Sequence, residues 1–322
     1  MKRREFLGKS AAMGAIAAFA LPFLRNIFAA SSQAGKQIQP SESGSAVIAN
    51  PLKPPKQGSI HVAIVTAGDC VLMDVAGPYE VFNNANLVAK AVKGVDYDVF
   101  RVYTLGETTK PIYASGIKTI PDHTFKTAPT QTPNVIVIPA QEGVSDAALD
   151  WIRKASKHTD VTMSICTGAY TLAKTGLLSG KSATTHHHAY QELATRYPDI
   201  HVVRGVRWVE DGNLASSGGL TSGMDLALRT VDRYFGRAVT LKTAEHLEYQ
   251  SQGWLDPTIN QIYAKDPVPA QGRAVCPVCN MEVDPAAAPK SIYKGKTYYF
   301  MSDEHKRLFD ADPEAYLSTA DK

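Results

Sequence analysis

Between residues 59 and 250, short continuous apolar runs alternate with stretches whose apolar residues recur at helical spacing. The runs at 60–66, 97–104, 134–139 and 161–165 are rich in Val and Ile. The run at 134–139 (Asn-Val-Ile-Val-Ile-Pro) is continuously apolar at its centre, as expected of a strand buried on both faces of a parallel sheet, and 161–165 reads as another buried strand. Helices are predicted over 78–92, 146–156, 169–174, 189–197, 221–234 and 238–249, with weaker strands near 201 and 207. This alternation predicts a doubly wound, flavodoxin-like α/β sandwich over 58–255. Ligands in such sheets collect beyond the carboxyl ends of the strands. The run at 161–165 stops there, at Cys166-Thr167-Gly168, in the position of a nucleophile elbow.

The pattern differs at both ends of the chain. Met1-Lys2-Arg3-Arg4-Glu5-Phe6-Leu7 precedes an Ala-rich apolar stretch over 11–24. Paired arginines before such a stretch resemble a twin-arginine export signal over 1–30, which predicts use of the export machinery and a periplasmic location. The stretch is shorter than the roughly 20 apolar residues of a spanning helix and contains Gly14 and Pro22. Residues 31–57, rich in Ser, Gln, Lys and Pro, read as a flexible tether. A segment at 256–273, with three prolines and no periodicity, reads as a second linker before a small α+β unit at 274–320.

Composition narrows the function classes. Of 322 residues 44% are hydrophobic and 20% charged, enough for a packed core, and the net charge of +3 leaves no basic stripe for nucleic acid. Only four cysteines are present, Cys70, Cys166, Cys276 and Cys279, which excludes a disulfide-stapled scaffold.

Cys166, between a buried strand and a helix start, faces the positive end of the helix dipole, which favours thiolate near neutral pH. Cys70 reads as a space-filling cysteine. Asp74 precedes the helix predicted at 78–92 and reads equally as a helix cap or as an acid beside Cys166, where a partly dry pocket raises its pKa. Glu80 is a candidate pocket residue or a solvated carboxylate. Of His186, His187 and His188, neighbours on one element point in different directions, so His186 is assigned to the pocket wall and the other two to the surface.

Further motifs extend the picture. Ser164-Ile165-Cys166-Thr167-Gly168-Ala169, Thr175-Gly176-Leu177-Leu178-Ser179-Gly180 and Ala183-Thr184-Thr185-His186 follow one another. The segments at 74–82 (Asp-Val-Ala-Gly-Pro-Tyr-Glu-Val-Phe), 211–213 and 217–225 flank them. Together they resemble the ThiJ/PfpI-like superfamily, above all isonitrile hydratases and the sensor domains of AraC-type regulators. The resemblance implies a homodimer acting on a small molecule without a cofactor. It implies that Cys166 attacks the terminal carbon of an isonitrile, that Asp74 supplies the proton and later assists water, and that Thr167 holds the sulfur or the water. Gly77, Glu80, Ala140, Gln141 and His186 would line the pocket. Two departures stand out. Thr167 replaces the His that follows the cysteine in protease-like and deglycase-like branches, and Pro139-Ala140-Gln141-Glu142-Gly143 replaces the usual Pro-Gly-Gly, whose amides form an anion-stabilising hole.

The C-terminal unit carries Cys276-Pro277-Val278-Cys279-Asn280-Met281, then Tyr298-Tyr299-Phe300-Met301 and Asp312-Pro313-Glu314-Ala315-Tyr316. It is similar to a YHS domain. Cys276, Cys279 and His305, with Met301 as a weak fourth ligand, suit copper(I) or zinc, and a Cys276–Cys279 disulfide is the alternative. Three functions follow as expectations: a hydratase of a small electrophilic carbon compound, a glyoxalase-like detoxifier of reactive carbonyls, or a non-catalytic periplasmic sensor or metal-binding protein.

Overall fold

The computed structural model describes residues 49–56, 58–265 and 267–317. The export signal at 1–30 and the tether up to residue 48 lie outside these residues. Among the described residues no helix is long and apolar enough to cross a membrane.

The α/β part contains strand β1 (Ile60–Val65), helix α1 (Leu72–Lys93), β2 (Phe100–Gly106), the small hairpin β3 (Ile112–Ala114) and β4 (Ile117–Thr119), β5 (His123–Thr124) and β6 (Val135–Ile138). Next come α2 (Asp146–Ala155), β7 (Val161–Ile165), α3 (Gly168–Lys174), β8 (Ser182–Ala183), α4 (Tyr190–Arg196), β9 (His201–Val202), β10 (Trp208–Asp211) and β11 (Leu214–Ser217). Helices α5 (Thr221–Phe235) and α6 (Arg237–His246) close this part. Seven strands form one sheet in the order β10-β11-β7-β6-β1-β2-β5, parallel except for the β10–β11 pair. Strands β6 and β7 are buried along their whole length because helices cover both faces; β6 is accordingly apolar throughout, whereas β7 buries the polar Thr162 and Ser164 between its apolar residues. Helices α1, α5 and α6 pack on one face with Phe82, Leu226 and Val239, and α2, α3 and α4 on the other with Ile152, Leu172 and Leu193. Strand order reverses between β1 and β6, so the carboxyl ends of β1, β6 and β7 open onto one crevice.

The predicted doubly wound architecture is therefore the observed one, with local differences. Helix α1 begins at Leu72 instead of near residue 78 and carries Pro78 inside it, where the proline has no N–H to give the Asp74 carbonyl. Strand β11 was not predicted: Leu-Ala-Ser-Ser is too polar and short to read as a buried strand, yet it pairs with β7 and all four residues are buried. The supposedly free linkers are partly docked. Leu52 N–H donates to the Arg233 carbonyl, and Arg229 and Arg233 hold the carbonyls of Ala49 and Asn50. Residues 257–263 form a 3-10 helix whose Pro257 carbonyl accepts from Arg207 N–H.

The C-terminal module has strands β12 (Ala274–Val275), β13 (Glu282–Val283), β14 (Lys290–Tyr293) and β15 (Lys296–Tyr299), then helices α7 (Asp303–Ala311) and α8 (Pro313–Tyr316). Val278, Phe300 and Phe309 fill its own small core.

Candidate functional site

Cys166 follows β7 and adopts φ 56°, left-handed backbone that costs a non-glycine residue about 1–3 kcal/mol. The surroundings fix it there. Its N–H donates to the carbonyls of Ser217 (3.2 Å) and Gly218 (3.1 Å), and its carbonyl accepts from Thr185 Oγ1 at 2.9 Å. Residue 168 has to be glycine, because a Cβ there would lie 2.2 Å from the Ile138 carbonyl oxygen. The elbow is thus wedged between β6 and the β11–α5 junction.

Asp74 lies in the first turn of α1 and is fully buried. It does not cap the helix. Ala140 N–H, at the end of β6, donates to Asp74 Oδ2 at 3.1 Å, and Leu220 N–H also approaches the carboxyl. Asp74 Oδ1 is buried and makes no hydrogen bond. Burial raises the Asp74 pKa to about 6 against the opposing pull of the Ala140 and Leu220 amides.

The thiol of Cys166 departs from the sequence expectation. Burial first, and the Asp74 charge second, push it up to about 12, and hydrogen bonds from the Thr167 backbone and hydroxyl only partly offset this. Helix α3 has only seven residues, and the residue is 8% exposed, so desolvation outweighs the helix dipole. At neutral pH the pair therefore carries one proton: the thiol on Cys166 and an ionised Asp74.

The other predicted pocket residues separate. Ala140 is buried and its N–H, the candidate anion-hole amide, is taken by Asp74. Gln141 braces the end of β1: its Oε1 accepts from Ala67 N–H (2.8 Å) and Gly68 N–H (3.3 Å), and its Nε2 donates to the Val65 carbonyl at 2.9 Å. Gly77 lets α1 approach α5, since a Cβ there would meet Met224 Cγ at 2.9 Å. Glu80 is a correction: it is exposed on α1 and accepts from Asn84 Nδ2 at 3.1 Å, two turns from Asp74 and rotated off its face. The histidines are a second correction. His187 and His188 are half-buried, and all three rings converge, with centroids 4.0–5.2 Å apart, because residues 187–189 form a 3-10 turn in place of a regular helix or strand. His186 packs against Gly219, whose Cβ would fall 2.2 Å from its ring. Burial lowers the pKa of each, so the trio is neutral.

Sequence reasoning missed Thr185 and the Leu220 amide. The Ser-Gly-Gly-Leu run was the available signal, since Leu220 takes φ 50° there. Cys70 is buried and its thiol is pushed up to about 11 by burial, in keeping with a packing role.

In the C-terminal module, Cys276, Cys279 and His305 place their donor atoms within 4.8 Å of one another, the one such three-ligand group among the described residues. The Cys276–Cys279 turn is closed by Asn280 N–H to the Cys276 carbonyl (2.8 Å) and Cys276 N–H to the Met281 carbonyl (2.9 Å). Ser302 caps α7 by accepting from His305 N–H, which sets His305 Nδ1 3.6 Å from Cys276 Sγ. Cys276 and Cys279 are unbonded thiols, and that of Cys276 is held down by hydrogen bonds from Cys279, His305 and the N–H groups of Met301 and Cys279. Two sulfurs and an imidazole nitrogen with such N–H support fit a soft ion such as zinc or copper(I). Met301 contributes its N–H, while the residue itself is 40% exposed.

A cysteine on a strained strand-to-helix turn, at the carboxyl edge of a doubly wound sheet and beside a buried carboxyl, defines an α/β protein of the nucleophile-elbow class. Comparison with known proteins narrows the class. The chain belongs to the DJ-1/PfpI family, whose model matches residues 60–233, and residues 274–320 match the YHS domain. The isonitrile hydratase of Pseudomonas putida is 32% identical over 183 residues, covering 55% of this chain and 73% of that one. The HTH-type transcriptional regulator CdhR of Pseudomonas aeruginosa is 26% identical over 153 residues, 46% of this chain and 45% of that one. A ThiJ/PfpI family protein from Pseudomonas syringae superposes with a TM-score of 0.52 at 21% identity, over 69% of this chain and 84% of that one. DJ-1beta of Drosophila melanogaster gives 0.51 at 20% identity, over 60% and 100%.

Proposed function

We propose that this chain is a cysteine-dependent hydratase that converts an isonitrile to an N-substituted formamide. The observation that carries the reading is the Cys166–Asp74 pair, one buried thiol and one buried carboxylate whose Oδ1 has no hydrogen-bond partner. The relative named as an isonitrile hydratase supports the substrate class.

Addition to an isonitrile needs sulfur and a proton on the same carbon, and the resting pair holds both. Asp74 takes the Cys166 proton as the sulfur bonds to the terminal carbon, then returns that proton to the same carbon, leaving a thioimidate. Water adds across the carbon–nitrogen double bond, its hydroxyl to carbon and its proton to nitrogen. Collapse to the formamide breaks the carbon–sulfur bond, and the hydroxyl proton passes through Asp74 to the sulfur. Thr167 supplies hydrogen bonds to the sulfur wherever it bears charge. Because the thiol is neutral at rest, Asp74 acts first as base and then as acid.

The test is turnover of alkyl and aryl isonitriles, followed as formamide by mass spectrometry in ¹⁸O-labelled water, with Cys166→Ala and Asp74→Asn as controls. Formamide carrying one ¹⁸O, lost in both variants, is expected. Absence of turnover, with tight binding of an isonitrile, would favour a binding protein like the regulator relative. Residues 1–30 are proposed to direct export to the periplasm, checked by cell fractionation with Arg3→Lys and Arg4→Lys together.

A further inference from the structure

The Cys276–Cys279–His305 group does not sit on a free face of the module. Helix α4 of the α/β domain docks beside it: Gln191 Nε2 and Thr195 Oγ1 both donate to the Ala315 carbonyl, at 2.9 and 3.4 Å, and Arg196 pairs with Glu304 at 3.3 Å. Next to the sulfurs, His188 donates to the Asn280 carbonyl. Cys276 is fully buried and Cys279 only 5% exposed.

Two polar side chains of the α/β domain face this junction. Glu192 has a side chain only 13% exposed, is held by Arg196 at 2.7 Å, and its charge is felt at both Cys279 and His305. The Tyr170 hydroxyl, one turn beyond Cys166, is buried beside the Glu192 carboxylate without a well-formed hydrogen bond. A buried carboxylate and a buried hydroxyl without a well-formed partner at this junction leave polar capacity that an ion and its water would use.

Three protein ligands leave one tetrahedral position open. We propose that the Cys276–Cys279–His305 site holds its ion as a clamp between the two domains, with Glu192 closing the fourth position through a bound water. Glu192 stands outside the three-ligand cluster, which is why the water is needed. Its place on α4 makes metal affinity and docking of the module two sides of one equilibrium.

The test uses the whole chain and Zn(II) as probe, titrated at pH 7 against a chromophoric chelator. The native protein is expected to bind one Zn(II), Glu192→Gln to weaken it about 10–100-fold, and Glu192→Asp to fall between them. Added Zn(II) is expected to slow hydrogen exchange of the α4 amides in the native protein and far less in Glu192→Gln. No Zn(II) binding by the native chain, or equal affinity in Glu192→Gln with unchanged α4 exchange, overturns the clamp. Circular dichroism in chelator shows whether the Glu192 variants fold.

Discussion

The two cysteine sites of this chain have opposite electrostatics. Cys166 stands at a helix start, where the dipole is often expected to create a thiolate, yet burial and a neighbouring carboxylate hold its proton on. Cys276 is no less buried, but it receives hydrogen bonds from a second thiol, an imidazole and two backbone amides, and its thiol is held down. A short helix supplies only a partial charge, whereas several aimed donors replace the lost water directly. The first arrangement suits a proton-transfer pair, the second a metal-ligand set.

The largest effect that sharpens this contrast is at Cys166 itself. Cys166→Ala is expected to lower isonitrile turnover by at least about 10⁴-fold, measured as formamide release. Asp74→Asn is expected to lower it by about 10²–10⁴-fold, because the thiol keeps its proton and loses the group that takes it. The same substitution is expected to stabilise the fold at neutral pH. Asp74 has its pKa raised from 3.8 to about 6, so the stability linked to its protonated form is complete below pH 3.8 and is lost as pH rises through about 6. That displacement amounts to roughly 3 kcal/mol at neutral pH, an order-of-magnitude figure. Chemical denaturation should show Asp74→Asn more stable than the native chain at pH 7 and equal to it below pH 4.

Gly168→Ala, which drives a Cβ into the Ile138 carbonyl, is expected to cost about 3 kcal/mol in the same assay and to displace Cys166. Thr167→Val removes one hydrogen bond to the sulfur and should reduce turnover about 10-fold. Glu80→Gln is expected to leave turnover within about 2-fold, and a larger loss would return Glu80 to the pocket.

Much of this was legible in the sequence because burial on both faces of a sheet leaves a plain mark. The apolar run at 134–139 located β6, and the Val161–Ile165 segment that stops at Cys166-Thr167-Gly168 located β7 and with it the elbow. Strand β11 was not legible, since Ser216 and Ser217 are buried by pairing with β7 and not by hydrophobicity. The roles of Gln141 and Glu80 depend on which way a loop or helix face turns, which local sequence does not specify. The acidity of Cys166 departs from the sequence expectation for a related reason: motif and helix position are sequence properties, but desolvation belongs to the packed fold.

The central claim is tested most directly by iodoacetamide alkylation of Cys166 between pH 6 and pH 10, resolved by peptide mass spectrometry in the intact protein. The account predicts a rate still rising at pH 10 with no plateau, and a rise displaced to lower pH in Asp74→Asn. A plateau already reached at pH 7, or an Asp74→Asn profile identical to the native one, would contradict it.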